Sequence, residues 1–329
     1  MIKCVKIYKG YGEKVRRLLV KHNLMNSEYK VLSVNEYLLL PIINQVKCED
    51  LLRKYNIKFE IVECNPSQKK ITRMTKHKIP SHDIVGNIVI VREKVVREYG
   101  ESRIINVLRS IYPWIEAIYV KHGTEHDYRL GKLRLIWGKE VKYVVYKEYG
   151  LEFFVDLYRV YFNPRLSTEH RLLAENVKDG EIVFDLFSGF GGFSIHIAHL
   201  KEALIYANDI NPYAIYCLLK SIVLNRRRLR GRIVASVFDA RDIPKYFKSS
   251  IADRIIANLP HKSIEFFKTY NHLSHKDTIL HLYVVSNNVE AVLNNISDLI
   301  QNEWLFIGYR RVLDYSPYTY IFRIDLKRL

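Results

Sequence analysis

The sequence predicts an α/β protein: a largely parallel, doubly wound sheet closed by an antiparallel hairpin, preceded by two small α+β domains. Three observations carry this. Apolar runs of strand length recur from residue 182 onward, with helical patterns between most of them, as parallel βαβ units require. The first of these runs leads into a turn holding Gly189, Gly191 and Gly192. The last two runs, Glu303–Val312 and Tyr318–Leu326, are joined only by Leu313–Pro317, too short for a parallel crossover, so they form an antiparallel hairpin.

Length and charge narrow the class. With 329 residues, 48% of them hydrophobic, the chain can form two or three domains. Lys and Arg number 52 against 35 Asp and Glu, a net charge of +17. Such an excess favours a polyanionic partner through counterion release, and 24 tyrosines offer stacking surfaces for bases, which together favour RNA. Cys4, Cys48, Cys64 and Cys217 form no C-x-x-C pair, so neither a zinc site nor a disulfide framework is expected, and a reducing cytoplasm fits. No apolar run is long enough to span a bilayer, and the opening residues lack the apolar core of a signal peptide. A cytoplasmic monomer with no membrane partner is the expectation.

In chain order, residues 1–63 read as a small mixed domain. Val5–Tyr8 reads as a strand, and Glu13–His22 as a helix turning Val15, Leu18 and Leu19 inward and Lys14, Arg16, Arg17 and Lys21 outward. Val31–Val34 and Tyr37–Ile42 read as a hairpin about Asn35-Glu36, and Asp50–Tyr55 as a short helix. Residues 64–82 are polar, basic and punctuated by Pro66 and Pro80, which makes a linker. Residues 83–160 read as an α+β middle domain. It has a strand Ile84–Val91 interrupted at Gly86, a helix over Glu93–Ile111, and strands at Trp114–Val120, Lys132–Trp137, Lys142–Tyr146 and Glu152–Leu157. Residues 161–329 hold the large sheet, with a leading helix at Leu172–Val177. Its first strands fall at Ile182–Phe187, Ala203–Asn208, Arg232–Phe238, Asp253–Asn258 and Thr278–Val285.

The candidate site lies at the carboxyl ends of those strands, where ligands bind in such sheets. Strand, glycine-rich turn and helix form a cradle in which the backbone approaches a ligand closely, as in Rossmann-like sheets. The spacing is not a full G-x-G-x-x-G, which weakens a dinucleotide reading; the terminal hairpin also disfavours a nicotinamide dehydrogenase. Asp185 inside the first strand suits a ligand with an amino group or a ribose, and S-adenosylmethionine has both. Asp209, about 20 residues past the turn, can accept from ribose hydroxyls; the alternative is a helix cap ahead of Pro212. Asp239 follows the third strand and can accept an adenine amine, or pair with Arg241; the two readings stand equal. Asn258-Leu259-Pro260-His261 follows the fourth strand, where a proline-stiffened asparagine fits the edge of a planar base. Ser167 and Glu169, ahead of the leading helix, read alone as a favourable helix N-terminus.

Taken together, Tyr161–Glu169, Asp185–Phe193, Asp209-Ile210-Asn211-Pro212 and Asn258-Leu259-Pro260 resemble the archaeal and eukaryotic tRNA guanine-N1 methyltransferase family. Ser81–Ile88 resembles the start of that family's middle domain, and residues 1–63 its tRNA-recognition domain. The resemblance implies a class I methyltransferase sheet that transfers a methyl group from S-adenosylmethionine to N1 of the guanosine at position 37 of tRNA, beside the anticodon. It implies Glu169 as the general base for N1, Arg129 as the donor to guanine O6, and Asn258 and Pro260 beside the target base. It places the cofactor against Tyr161, His170, Asp185, Phe187, Gly189, Gly191, Asp209, Ile210, Asp239, Ala240 and Asn258, and it calls for no metal. For Glu169 to act as a base, burial has to raise its proton affinity. Relatives often carry arginine where this chain has His170. Alternatives are an aminocarboxypropyl transferase of wybutosine formation, or a non-catalytic RNA-binding protein.

Overall fold

The computed structural model describes residues 2–26, 29–67, 82–125 and 130–329. The chain divides into two compact units, Met1–Lys78 and Ile79–Leu329.

The first unit is a four-stranded antiparallel sheet in the order β2-β3-β1-β4, with β1 at Ile2–Tyr8, β2 at Leu32–Val34, β3 at Tyr37–Pro41 and β4 at Glu60–Cys64. Helix α1 (Gly12–Lys21) buries Val15 and Leu19 and exposes Lys14, Arg16, Arg17 and Lys21. Helix α2 (Gln45–Lys54) starts well before the expected Asp50, because the Asn44 side chain caps it by accepting from Lys47 N at 3.1 Å. Strand β4, unexpected from sequence, pairs with β1 and brings Cys64 to Cys4, which form a disulfide. This corrects the expectation of no disulfide: a separation of 60 residues leaves no local spacing signal. Cys48 and Cys217 are free and buried.

The second unit opens with strands β5 (His82–Val85) and β6 (Ile88–Arg92), a hairpin where one interrupted strand was expected. The expected long helix divides at Gly100 into α3 (Glu93–Tyr99) and α4 (Glu101–Ile111). Strands β7 (Ala117–Glu125) and β8 (Leu130–Gly138) complete a sheet in the order β5-β6-β7-β8, and β9 (Tyr143–Glu148) pairs with β10 (Leu151–Asp156). Packing does not break near residue 160: one apolar core runs from Val85, Tyr119 and Phe153 to Val183, Phe193 and Leu218.

Helix α5 spans Ser167–Glu175, earlier than expected. Asn163 accepts from Arg165 N at 3.2 Å and Pro164 opens a short 3-10 turn, which feeds directly into the helix. Glu169 and His170 therefore sit in its first turn.

A seven-stranded sheet follows, ordered β13-β12-β11-β14-β15-β17-β16. Its strands are β11 (Ile182–Asp185), β12 (Leu204–Asn208), β13 (Arg232–Ser236), β14 (Ala252–Ala257), β15 (Ser274–Ser286), β16 (Trp304–Ser316) and β17 (Thr319–Arg328). Strands β11 to β15 are parallel; β17 runs antiparallel between β15 and β16. Helices α6 (Gly192–Leu200), α7 (Pro212–Asn225), α8 (Ile243–Tyr246), α9 (Phe267–Leu273) and α10 (Val289–Ile300) connect them. Central β11 is apolar on both faces because both are covered, with Val183 in one core cluster and Phe184 in the other. Among the described residues no helix is long and apolar enough to cross a membrane.

Candidate active site

A cleft of about 330 Å³ opens at the carboxyl ends of β11 to β14. Of the residues singled out in the sequence, Tyr161, His170, Phe187, Gly189, Asp209, Ile210, Asp239, Ala240, Asn258 and Pro260 line it. Asp185, Gly191 and Glu169 are not on its wall. Arg129, like Ser81, lies outside the described residues.

The glycine turn shapes the floor. Gly191 has φ 95°, and a Cβ there would fall 2.3 Å from Leu218 Cδ1, so side chains are excluded on both backbone and packing grounds. Asp209 ties the turn to the next strand, accepting from Gly189 N at 2.8 Å through Oδ2 and from Asn211 N at 2.9 Å through Oδ1. Burial raises its proton affinity, against those two backbone hydrogen bonds. Asp185, 0% exposed, lies beneath the floor rather than on it and accepts from Ser194 Oγ at 2.6 Å. Burial pushes its carboxyl up to about 7, despite the Ser194 hydrogen bond and nearby His170.

His170 enters the cleft from α5 and is fixed from behind. Glu148, at the end of β9, receives His170 Nδ1 at 2.9 Å and His196 Nε2 at 3.0 Å through one oxygen, and the Tyr146 hydroxyl through the other. Burial would push the Glu148 carboxyl up, but these hydrogen bonds and the His170 charge hold it down at about 2. Direct hydrogen-bond distances make this a donor–acceptor cluster, with His170 presenting Nε2 away from Glu148. Gly192 packs against the same ring: a Cβ there would lie 2.4 Å from His170 Cε1.

Across the cleft, Asp239 is gripped by Arg241, Nε to Oδ1 at 3.0 Å and a terminal nitrogen to Oδ2 at 2.6 Å, which holds its carboxyl below the usual range. The pairing that stood as one of two sequence readings is present, while Asp239 still faces the cleft. The loop after β14 is held by Val285 N donating to Pro260 O at 3.0 Å and by His261 Nε2 lying 3.1 Å from the Tyr315 hydroxyl, near the tip of the terminal hairpin.

Residues 144–303 match the TRM5/TYW2 methyltransferase domain, and residues 4–50 match the tRNA methyltransferase 5 N-terminal domain. The chain is 30% identical over 347 residues to the tRNA (guanine(37)-N(1))-methyltransferase Trm5b of Methanocaldococcus jannaschii, covering 98% of each. The chain belongs to the TRM5/TYW2 methyltransferase family. It is also 30% identical over 252 residues to the tRNA 4-demethylwyosine(37)-methyltransferase Taw21 of Saccharolobus solfataricus, covering 74% of this chain and 92% of the relative. The crystal structure of Trm5b from Pyrococcus abyssi has a TM-score of 0.67 at 29% identity, covering 100% of this chain and 99% of that one. The seven-stranded sheet with its terminal hairpin is thus the class I methyltransferase architecture expected from the sequence.

The sequence did not reveal what surrounds Glu169 in this family member. Glu169 is 3% exposed. Tyr283 on β15, Arg323 on β17 and Arg310 on β16 are register partners, forming one row across three strands. All three converge on its carboxylate. Oε1 accepts from the Tyr283 hydroxyl at 2.8 Å and from Arg323 at 2.7 Å, and Arg310 Nε lies 3.1 Å from Oε2. Glu169 is buried, and its carboxylate lies between two guanidiniums. Arg323 also grips Asp325, at 2.9 and 3.1 Å, and Asp325 meets His281 Nδ1 at 2.6 Å. His281 Nε2 faces an Arg254 donor at 2.7 Å, so it accepts there and the ring proton sits on Nδ1. Strand register creates this row, so no local sequence motif could have signalled it.

Proposed function

We propose that the chain methylates N1 of the guanosine at position 37 of tRNA, with S-adenosylmethionine as methyl donor and Glu169 as general base. The observation that carries this is the row on Glu169: a carboxylate in the first turn of α5, buried, oriented by Tyr283 and Arg323, and next in sequence to the cleft residue His170. The names of the Trm5b relatives and the N-terminal family match support the substrate.

The donor set of the cleft fits an adenosine bearing a charged amino acid. Asp209, positioned by Gly189 and Asn211, would take the ribose hydroxyls; Asp239 and Ala240 would face the adenine; Tyr161 and His170 would hold the amino-acid end. Gly192 lines the same end of the cleft, and its lack of a Cβ makes room for the His170 ring. Bound there, the donor supplies an electrophilic methyl group: N1 gains the new C–N bond, the sulfur keeps the electron pair of the C–S bond, and the N1 proton is left on the protein. The protein's tasks are orientation and proton removal. Neutral guanine carries a proton on N1, so its lone pair becomes available only as a base takes that proton. Asn258 and Pro260, fixed by the Val285 contact, would flank a base turned out of its stack. The net charge of +17 supports binding of the tRNA body by a cytoplasmic monomer.

A second reading, methylation of a wyosine precursor at the same position, is favoured by the likeness to Taw21, but that likeness spans 74% of this chain against 98% for Trm5b. Incubation with unmodified tRNA transcript and labelled S-adenosylmethionine, followed by nucleoside mass spectrometry, tests the proposal. It expects 1-methylguanosine. An aminocarboxypropyl adduct, or no product on guanosine with product on 4-demethylwyosine tRNA, would replace it.

A further inference from the structure

We propose that Tyr318, at the tip of the terminal hairpin, is a stacking platform for a base of the tRNA anticodon loop adjacent to the base that enters the cleft. The inference rests on the proposed methylation at position 37, which sets the RNA that lies over the cleft mouth. Tyr318 has a φ of 59°. A bulky residue rarely takes a positive φ, because its Cβ then crowds the backbone, and such residues cluster at ligand clamps. Pro317 and Tyr318 form the two-residue turn between the register partners Ser316 and Thr319. Proline fixes a negative φ at the first position, and a positive φ at the second is normally supplied by glycine or asparagine. Among the described non-glycine residues with positive φ, six are Asn, Asp or Ser and two are tyrosines. Tyr149 has a reason within the fold: its hydroxyl meets Thr168 Oγ1 at 3.2 Å and its ring packs edge-on against His196. The Tyr318 side chain is 85% exposed and has no hydrogen bond or ring contact among the described residues. Glycine would suit the turn better, so the ring serves something outside the chain.

The tip stands at the mouth of the cleft. The Tyr315 hydroxyl lies 3.1 Å from His261 Nε2, the two rings meet edge to face at 5.2 Å, and His261 directly follows Pro260 of the cleft wall. Ile321, three residues after Tyr318, also lines the cleft, and three residues of strand span about 10 Å. The surroundings are cationic. From Trp304 to Ile324 the hairpin carries three arginines against one acidic residue, Asp314, and Lys262 lines the cleft beside it. Arg311 stacks over the Tyr320 ring at 3.6 Å. Positive charge follows a phosphate backbone while aromatic rings stack unpaired bases, so this surface fits single-stranded RNA. A base turned out of its stack leaves each neighbour with a bare face. Pro317 stiffens the turn, so the Tyr318 ring is in place to cover one of those faces before the RNA arrives.

The test is affinity, by fluorescence anisotropy, of the full chain for a tRNA transcript bearing guanosine 37, and for the same transcript made abasic at position 36 or at position 38. Loss of one base–aromatic stack weakens binding roughly 5- to 150-fold. That loss is expected for Tyr318→Gly on the intact transcript, with a melting temperature at or above wild type because glycine accepts the turn's φ. Tyr318→Phe keeps the ring and should bind as wild type does. On the transcript abasic at the stacked position, Tyr318→Gly and wild type should bind equally. Wild-type affinity in Tyr318→Gly, a loss in Tyr318→Phe as large as in Tyr318→Gly, or a loss that persists on both abasic transcripts would overturn the assignment. So would wild-type tRNA affinity combined with lost self-association in Tyr318→Gly, which would give the ring to a second copy of the chain. These readouts need no chemistry, so absence of methyl transfer by a wild-type chain that shows the expected binding pattern would strike the proposed function alone.

Discussion

Arg310 and Arg323 stand directly opposite each other across the β16–β17 hairpin. Like charges in such a cross-strand pair repel. Here the Glu169 carboxylate lies between them, 2.7 Å from Arg323 and 3.1 Å from Arg310, and converts a liability into a fixed site. The helix that carries Glu169 and the hairpin that closes the sheet therefore depend on each other.

The first consequence concerns stability. Replacing Arg323 by alanine would leave the buried Glu169 carboxylate with Tyr283 and Arg310 alone, and the half-buried Asp325 with His281. Breaking a buried pair from one side costs about 3–5 kcal/mol, which urea unfolding should register. Arg311→Ala, removing an exposed ion pair, should fall within about 0.5 kcal/mol of wild type. Equal, small losses in both would mean the buried row contributes little.

A second prediction concerns the cleft floor. In Gly192→Ala the new methyl group would press on a His170 ring that Glu148 prevents from moving aside. Overpacking of this kind costs about 1–3 kcal/mol, so calorimetry should show S-adenosylmethionine binding weakened by roughly tenfold or more. Unchanged affinity and unchanged melting temperature would show that His170 yields.

The third concerns pH. Burial lifts the Asp185 carboxyl from 3.8 to about 7. Because the folded-state value exceeds the unfolded one, the native state prefers the protonated acid. Its contribution to stability is complete below about pH 4 and is lost as pH rises through about 7. A shift of this size corresponds to on the order of 4 kcal/mol. In Asp185→Asn that loss disappears, so the stability of the variant relative to wild type should climb between pH 4 and pH 7. A difference constant with pH would place the titration elsewhere.

Legibility from the sequence followed the range of the interactions. The strand–glycine–helix unit at Asp185–Leu200 and the terminal hairpin were readable because they are local: periodicity, glycine and loop length specify them. The apolar pattern placed the helix at Leu172–Val177, whereas Ser167, read alone as a helix N-terminus, is where α5 begins, directly after the 3-10 turn that Asn163 caps and Pro164 opens. The Cys4–Cys64 bond and strand β4 were missed because only the pairing of β1 with β4 brings those residues together. The tightest part of the site, Tyr283, Arg310 and Arg323 on Glu169, is a matter of register between strands, which no single stretch encodes. Asp239 had two readings because its partner, Arg241, is so near in sequence that both a pair and a ligand contact fit.

The most direct test of the account is single-turnover methyl transfer by Glu169→Gln, measured beside its affinities for tRNA and S-adenosylmethionine. Glutamine can still accept from Tyr283 and Arg323 but cannot take the N1 proton. General-base removal lowers rates roughly 10²–10⁴-fold, and the account predicts a loss in that range with both affinities preserved. A rate near wild type, or a loss matched by the fall in tRNA affinity, would contradict it.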